Sequence, residues 1–212
     1  MSVEPGRFIA FEGGEGTGKS TQARLLAETL EARGVTCTVT REPGGTPGAE
    51  AIRALLLDAD LPPWGAAAEA LLFAAARSDH VERLVGPALA AGRWVICDRF
   101  VDSSRASQGG AGGLGDAAVL TLHGIGSGGV LPDLTVLLRV SAAASAARLA
   151  LRDGEASDRI GGRGEAYHAQ VATAFARFAA AEPARFASVD GEGEAETVAA
   201  RVLAAVAPLL TS

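Results

Sequence analysis

The stretch from Phe8 to Ala23, FIAFEGGEGTGKSTQA, constrains the fold of this chain more than any other. Gly13, Gly18, Lys19 and Ser20 match the pattern G-x-x-x-x-G-K-[ST], between an apolar strand-like run and the start of a helical pattern. In that setting the glycines let backbone N–H groups turn toward a phosphate, and the positive end of the next helix attracts it. Lys19 is the single lysine among 19 basic residues, so the stretch predicts a phosphate-binding loop that needs a compact ammonium.

A loop of this kind predicts a nucleoside triphosphate site. A second apolar run, Trp94–Asp98, ends in a carboxylate that a parallel sheet would place beside the loop. Asp98 and the hydroxyl of Ser20 are therefore the predicted Mg²⁺ ligands, and ATP and Mg²⁺ the predicted cofactors. No N-K-x-D motif is present, which disfavours a GTPase. The predicted ATP-binding residues are Gly13, Gly14, Glu15, Gly16, Thr17, Gly18, Lys19, Ser20 and Thr21.

Five apolar runs alternate with segments of helical periodicity, which predicts an α/β fold with a parallel sheet covered on both faces. At 212 residues the chain is expected to form one domain, residues 1–212. A long helix is predicted over 66–92, bent near Gly86-Pro87, and Gly34 is the predicted end of the first helix. The glycine-rich segments Gly109–Gly115 and Arg152–Gly164 are predicted to lie outside the core as surface loops or a lid. The predicted strands are Phe8–Glu12, Val35–Thr40, Trp94–Asp98, Leu134–Val140 and Arg185–Val189.

Composition and charge argue against several classes of function. A net charge of −6 and a pI near 5.1 argue against broad nucleic-acid binding, which needs a basic surface. No run of 18 apolar residues and no signal-peptide pattern is present, so we expect no membrane partner and a cytoplasmic location. The two cysteines form no CxxC pair and the three histidines are scattered, which gives no sign of a zinc site.

Several longer motifs make the chain resemble one family. The segments REPGGT at 41–46, DRFVDSS at 98–104 and SDRI at 157–160 follow the phosphate loop in the order and spacing of bacterial thymidylate kinases. The resemblance runs from Phe8 to about Phe178. It implies the three-layer P-loop NTPase fold of nucleoside monophosphate kinases, with a five-stranded parallel sheet flanked by helices and a short lid at about 152–164. It also implies transfer of the γ-phosphoryl group of ATP to dTMP, giving dTDP and ADP, by a homodimer.

The resemblance also suggests which residues hold the acceptor. Phe73 and Arg77, four apart on one helix face, would stack on the base and donate to a base carbonyl. Arg99 and Arg53 would clamp the monophosphate, and each of these side chains could instead be an ordinary core or salt-bridge residue. The full acceptor set is Glu12, Arg41, Pro43, Arg53, Phe73, Arg77, Arg99, Ser104 and Gln108.

Phosphoryl transfer depends on alignment and on neutralisation of developing charge, so arginines matter most. Family members carry a catalytic arginine in the phosphate loop or in the lid, and Gly16 at the loop position favours the lid. Arg152 is the first candidate and Arg159 the second, while Arg163 could equally be a solvated loop residue. The predicted catalytic residues are Lys19, Asp98, Arg99, Arg152 and Arg159.

Three positions depart from the family pattern. Ser107 stands where an aromatic ring is common, Arg139 where an aspartate is common, and Gly161 where an acidic residue is common. These departures keep two alternatives open beside a dTMP kinase. One is a nucleotide-binding protein with weak or no turnover, and the other is a kinase with relaxed acceptor choice, such as dUMP or a ribonucleotide.

Overall fold

A computed structural model describes residues 5–152 and 161–210 of the chain. Two short π-helical segments, Val81–Val85 and Arg105–Ala111, and a terminal 3₁₀ turn, Ala207–Leu210, accompany the regular elements. The strands are β1 (Phe8–Glu12), β2 (Cys37–Arg41), β3 (Trp94–Asp98), β4 (Leu134–Arg139) and β5 (Phe186–Asp190). The α-helices are α1 (Lys19–Glu31), α2 (Pro47–Leu57), α3 (Ala66–His80), α4 (Gly86–Ala90), α5 (Val101–Ser104), α6 (Asp116–Ser127), α7 (Ala142–Arg152), α8 (Glu165–Ala181) and α9 (Ala195–Val206).

All five strands form one parallel sheet in the order β2-β3-β1-β4-β5. The predicted α/β class and strand number are confirmed, although β2 begins two residues later than predicted and β5 one residue later. Phe11 lies opposite Asp98 in the register of β1 and β3. The carboxyl ends of these two central strands, which carry the phosphate loop and the DRF segment, therefore lie side by side.

Both faces of the sheet are covered, which explains why β1 is apolar along its whole length. Ile9 and Phe11 face a layer that includes α1 and α9, while Phe8 and Ala10 face the opposite layer. This alternation follows from the two-residue period of a strand. Within residues 5–152 and 161–210, no helix has both the length and the apolarity to cross a bilayer.

The first helix ends where its sequence predicts. The amide of Gly34 donates to the carbonyl of Glu31 at 2.9 Å, and the amide of Val35 donates to that of Leu30 at 3.0 Å. Gly34 has φ 83°, the left-handed conformation that glycine adopts without steric cost. The end of α1 is therefore closed by a Schellman motif.

Two helical predictions need correction. The single helix expected over 66–92 is α3 followed by the π-helical segment Val81–Val85 and by α4, so the helical geometry changes before Gly86-Pro87. The segment Gly109–Gly115 is only partly a surface loop. Gly109 is buried within the second π-helical segment, where a Cβ atom would come within 3.3 Å of the Gly115 carbonyl oxygen and Val119. The absence of a side chain at Gly109 therefore allows this segment to pack closely against Gly115 and Val119.

Asp102, in the DRFVDSS segment, is the centre of a buried ionic cluster. Arg185 donates to both of its carboxylate oxygens, at 2.6 and 2.9 Å, and Arg105 adds a bond at 2.9 Å. Burial favours the neutral acid, but hydrogen bonds and charge from Arg185 and Arg105 hold the pKa of Asp102 below its usual value. Arg105 also contacts Asp116 and Glu182, each at 2.8 Å. The cluster ties the segment after β3 to α6, α8 and the start of β5.

We predict that Arg185→Ala lowers the free energy of unfolding by roughly 3 kcal/mol, because it leaves a buried carboxylate short of a partner. Arg24→Ala is the matched control, since Arg24 pairs with Glu28 on the exposed face of α1 and should change stability by at most about 0.5 kcal/mol. Urea unfolding of both variants measures the two values. Equal losses would contradict the structural role of the cluster.

Candidate active site

The loop from Gly13 to Gly18 is shaped by backbone that glycine alone adopts readily. Gly13 has φ 141° and Gly18 has φ 90°. A Cβ atom at Gly13 would lie 2.5 Å from the carbonyl oxygen of Leu138 on β4, so the loop is pressed against the neighbouring strand. The loop leads directly into the N-terminus of α1, which is the arrangement that binds phosphate groups.

Lys19 lies buried beneath this loop. Its Nζ donates to the carbonyl oxygens of Gly14 at 2.6 Å and Gly13 at 3.2 Å. Burial, with repulsion from Arg99 as a smaller cause, lowers its pKa to about 8. The ammonium therefore lies inside the loop before a nucleotide binds. Negative phosphate oxygens there would stabilise its charged form, which burial disfavours.

Asp98 and Ser20, the predicted Mg²⁺ ligands, meet at the carboxyl end of β3. The Ser20 hydroxyl donates to Asp98 Oδ2, while Asp98 Oδ1 is buried and has no hydrogen-bond partner among the described residues. An unpaired carboxylate oxygen beside a hydroxyl fits a hard cation such as Mg²⁺. Residues 5–152 and 161–210 contain no cluster of three or more His, Cys, Asp or Glu side chains suited to a metal. Phosphate and water oxygens would therefore complete the ion's coordination.

Arg99 connects the phosphate loop with the segment after β3. Its Nη2 pairs with Glu15 Oε1 at 2.5 Å, and its Nη1 donates to the Gly13 carbonyl at 3.2 Å and the Ser103 hydroxyl at 3.3 Å. Arg99 has φ 69°, which is unusual for a residue with a side chain and is typical of functional segments. The structure therefore brings Arg99 between the predicted ATP and acceptor sites, with Glu15 as its present anionic partner.

Glu12, at the end of β1, is completely buried next to Arg99. Its Oε1 accepts from the amides of Phe100 at 2.9 Å and Ser103 at 3.0 Å, and its Oε2 accepts from the Ser103 hydroxyl at 2.5 Å. Burial first, and repulsion from Asp102 second, raise its pKa to about 7. Glu12 fixes the turn after β3 and can change protonation near neutral pH.

Two side-chain pairs join α3 to the helical segment that starts with α5. Arg77 Nη2 donates to the Ser104 hydroxyl at 2.8 Å, and Gln108 Nε2 donates to Glu69 at 2.8 Å. Phe73 lies on α3 between the two α3 residues of these pairs, one helical turn from each. We name these five residues the base slot, after the base-binding role that the sequence predicts for Phe73, Arg77, Ser104 and Gln108. Four of them, all but Glu69, were predicted from the sequence. The first pair brings Arg77 and Ser104 together, and the second joins Gln108 to Glu69.

Glu42 lies in the REPGGT motif, and the resemblance predicted it only as part of the loop Arg41-Glu42-Pro43 that walls the acceptor pocket, without a contact of its own. Its buried carboxylate accepts from Arg77 Nε at 2.8 Å and lies 3.0 Å from His80 Nδ1, while the other ring nitrogen of His80 contacts Thr40 at 2.8 Å. A guanidinium has five N–H donors, so Arg77 keeps donors for a ligand after binding Glu42 and Ser104. Glu42 therefore orients Arg77 and compensates its buried charge.

The remaining predicted residues in and after the REPGGT motif have different partners. Arg53 Nη1 donates to the carbonyl of Pro43 at 2.7 Å, which places these two predicted residues together. Arg41 instead pairs with Glu50 at 3.1 Å on an exposed surface and is not gathered into the base slot. Thr46 accepts from the amide of Ala49 at 3.3 Å and begins α2 as its N-cap.

The lid prediction falls largely on residues that are not described. Arg159 and the side chain of Arg152 lie outside the described residues. Arg163 is described, and it pairs with Glu69 of the base slot. Among the departures, Ser107 is half-buried in the π-helical segment, Arg139 is exposed at the end of β4, and the Gly161 carbonyl lies 3.3 Å from His168 Nε2.

Comparisons with known proteins relate the chain to one family. The family model described as thymidylate kinase matches residues 11–202. The chain is 57% identical over 206 residues to the thymidylate kinase of Rhizorhabdus wittichii, covering 97% of this chain and 99% of that protein. It is 51% identical over 203 residues to the thymidylate kinase of Rhodopseudomonas palustris, covering 95% and 88%. The crystal structure of thymidylate kinase from Ehrlichia chaffeensis superposes with a TM-score of 0.77 at 31% identity, covering 95% of this chain and 100% of that one.

The buried carboxyl of Glu12 predicts a pH-dependent difference in stability. Because its folded pKa of about 7 lies above the ordinary value of 4.5, the ionised form costs the native state stability as pH rises through this window. Glu12→Gln removes this cost and keeps the acceptor for the Phe100 and Ser103 amides. The free energy of unfolding of Glu12→Gln, minus that of wild type, should therefore increase by about 2 kcal/mol or more from pH 5 to pH 8.

Urea unfolding at several pH values measures this difference. Glu28→Gln is the control, because Glu28 is an exposed acid on α1 and its replacement does not touch the buried site. A difference that stays constant for Glu12→Gln would contradict the assigned protonation behaviour.

Proposed function

The chain belongs to the thymidylate kinase family and phosphorylates dTMP with ATP, and we propose that the groups at the carboxyl ends of β1 and β3 perform this transfer. The observation that carries the proposal is the adjacency of two compartments. Arg99 contacts Gly13 and Glu15 of the phosphate loop and also Ser103, which is adjacent to Ser104 of the base slot.

At the ATP compartment, Lys19 and the loop amides bind the β- and γ-phosphates. Asp98 and Ser20 would hold Mg²⁺, which is supported by Asp98 Oδ1, an oxygen with no hydrogen-bond partner within residues 5–152 and 161–210. When bound, Mg²⁺ supplies positive charge that offsets the negative charge of the phosphates. Lys19 keeps its proton below a pH of about 8, so its charge is available at neutral pH.

At the acceptor compartment, the monophosphate is itself the nucleophile. Its second pKa is about 6, so it is largely ionised at neutral pH and needs no strong general base. Arg99 exchanges its Glu15 partner for the acceptor phosphate and aligns it with the γ-phosphoryl group. Glu12 holds the Phe100–Ser103 turn that carries this arrangement. Arg152 and Arg159 are proposed to neutralise charge on the transferring group.

The base slot fits a pyrimidine with carbonyl groups. Phe73 offers a ring for stacking, and Arg77 offers N–H donors to a carbonyl oxygen. Ser104 fixes Arg77 from the opposite wall. Arg53 with Pro43, and Arg41 at the exposed edge, would border the sugar and phosphate. Family membership also supports work in the cytoplasm on small nucleotides.

We predict that Lys19→Arg lowers kcat with dTMP about 100-fold or more, because a planar guanidinium cannot take the place of the buried ammonium. Coupled ADP release with ATP and Mg²⁺ measures it, with dTMP, dUMP, UMP or no acceptor. Arg24→Lys, an exchange at the exposed face of α1, is the control and should retain wild-type turnover. Acceptor-independent ADP release by wild type, or full activity of Lys19→Arg, would overturn the proposed function.

We also propose that the chain forms a homodimer through α3 and α6. These helices pack together, with Gly126 against Ala74 and Ser78. Their outer faces expose large apolar side chains: Leu71 is 56% exposed, Leu120 is 38% and Ile125 is 81%. Large exposed apolar side chains on two helices that pack together are typical of an interface between copies.

We predict that Leu71→Glu/Ile125→Glu converts a dimer into a monomer, since two charges in each copy would have to be buried at the interface. Light scattering after size exclusion gives the mass. Val39→Glu is the control, because Val39 is equally an exposed apolar residue but lies on the edge strand β2. A wild-type monomer, or a double variant that remains dimeric, would contradict this interface.

A further inference from the structure

Glu69 is a buried carboxylate whose two oxygens have different partners. It lies on α3, four residues before Phe73, and is 6% exposed. Its Oε1 accepts from Gln108 Nε2 at 2.8 Å, and its Oε2 pairs with Nη2 of Arg163. Glu69 therefore connects the base slot to an arginine that lies just before α8.

Arg163 is itself held in place by a second contact. Its Nη1 donates to the Tyr167 hydroxyl at 2.6 Å, and its guanidinium lies 4.6 Å from the centre of the Tyr167 ring. Tyr167 is one turn further along, within α8. A planar guanidinium that stacks on a ring and pairs with a carboxylate has a fixed direction, which a lysine would not reproduce. The Arg163–Glu69 contact thus has a defined geometry before any nucleotide binds.

The chemistry of Glu69 decides which way the Gln108 amide faces. An ionised carboxylate only accepts hydrogen bonds, so it must receive the NH₂ group of Gln108 and not its carbonyl oxygen. The carbonyl oxygen, Oε1, is then left as a buried acceptor, and it has no partner among the described residues. A buried acceptor without a partner is costly unless a ligand supplies a donor.

Pyrimidine bases differ in the hydrogen-bonding groups that they carry at N3 and C4. Thymine carries an N–H donor at N3 and a carbonyl acceptor at C4, whereas cytosine carries an acceptor at N3 and an amino donor at C4. A slot with a fixed acceptor at Gln108 and a fixed donor at Arg77 matches the first pattern and opposes the second. A freely rotating Gln108 amide could present its NH₂ group to cytosine N3 and would lose this discrimination.

We infer that Arg163 is a positioning residue for acceptor choice: through Glu69 it fixes the Gln108 amide so that the base slot selects a base with an N3–H donor. This inference rests on the proposed function and deepens it. Arg163 acts at the base end of the acceptor and not on the transferring phosphoryl group. The Arg163–Glu69–Gln108 chain adds selectivity against aminopyrimidine monophosphates to a site whose phosphate chemistry is indifferent to the base.

The test is steady-state kinetics of Arg163→Ala with dTMP and dCMP as acceptors. We expect KM for dTMP to rise about fivefold or more, with kcat within about twofold and KM for ATP unchanged. The ratio of kcat/KM for dTMP to that for dCMP should fall about tenfold, because the acceptor at Gln108 is no longer fixed. Arg163→Lys should recover part of the ratio, since it restores the charge beside Glu69 but not the planar contact with Tyr167.

Arg177→Ala is the matched control, because Arg177 also lies over an aromatic ring of α8, that of Phe178 at 5.3 Å, but contacts no part of the base slot in the described structure. Glu69→Gln gives an independent arm, since its amide can meet Gln108 in either orientation and should lower the same ratio. An unchanged ratio in both Arg163→Ala and Glu69→Gln would overturn the inference. So would a loss of kcat at unchanged KM, which would place Arg163 at the phosphoryl group. Wild-type enzyme inactive on dTMP would instead refute the proposed function.

Discussion

The parallel pairing of β1 with β3 is the constraint on which the site depends. It sets Phe11 opposite Asp98, so that the chain leaves both strands at the same edge of the sheet. One exit becomes the phosphate loop and the other becomes the segment with Arg99. Their amide and carboxylate groups then meet directly, as in the bonds from Phe100 and Ser103 to Glu12. The pairing of these two strands therefore decides which backbone segments meet at this edge of the sheet.

Paired charge is the second feature of the site. Arg77 rests on Glu42 and Arg99 rests on Glu15, while Asp102 holds Arg105 and Arg185. Buried arginines are tolerable only with such partners, because an unpaired buried charge is strongly destabilising. The same partners keep the guanidinium groups pointed in fixed directions. Glu12 is different, since it lies completely buried with a pKa near 7 and so carries a cost at the end of β1.

Much of this architecture was open to prediction from local pattern. The phosphate loop, the strand that ends at Asp98 and the glycine that ends α1 follow from short-range rules of backbone geometry, and the fold confirms them. The π-helical segments were not predicted, because their apolar spacing resembles that of an ordinary helix. The burial of Gly109 was missed because glycine-rich composition suggests a loop, whereas tight packing also requires glycine.

The omissions at the site have a common physical cause. Glu42 and Asp102 lie inside recognisable motifs, yet their roles depend on Arg77 and Arg185, which come from distant parts of the chain. Glu69 carried a weak signal, its helical spacing from Phe73 and Arg77. Arg163 was considered only as a lid arginine, because nothing local shows its pairing with Glu69, 94 residues away. Sequence pattern indicates which residue types are present at a site, while long-range contacts decide which atoms remain available to a ligand.

The most direct measurement follows the γ-phosphate of ATP, labelled with ³²P, in the presence of Mg²⁺ and dTMP. Thin-layer separation of the products locates the label. If Arg99 aligns the acceptor phosphate with the γ-phosphoryl group, the label appears in dTDP in an amount equal to the ADP formed. Little label then appears in inorganic phosphate. Label recovered mainly as inorganic phosphate would mean that water, and not the acceptor phosphate, is the nucleophile, and would contradict the account.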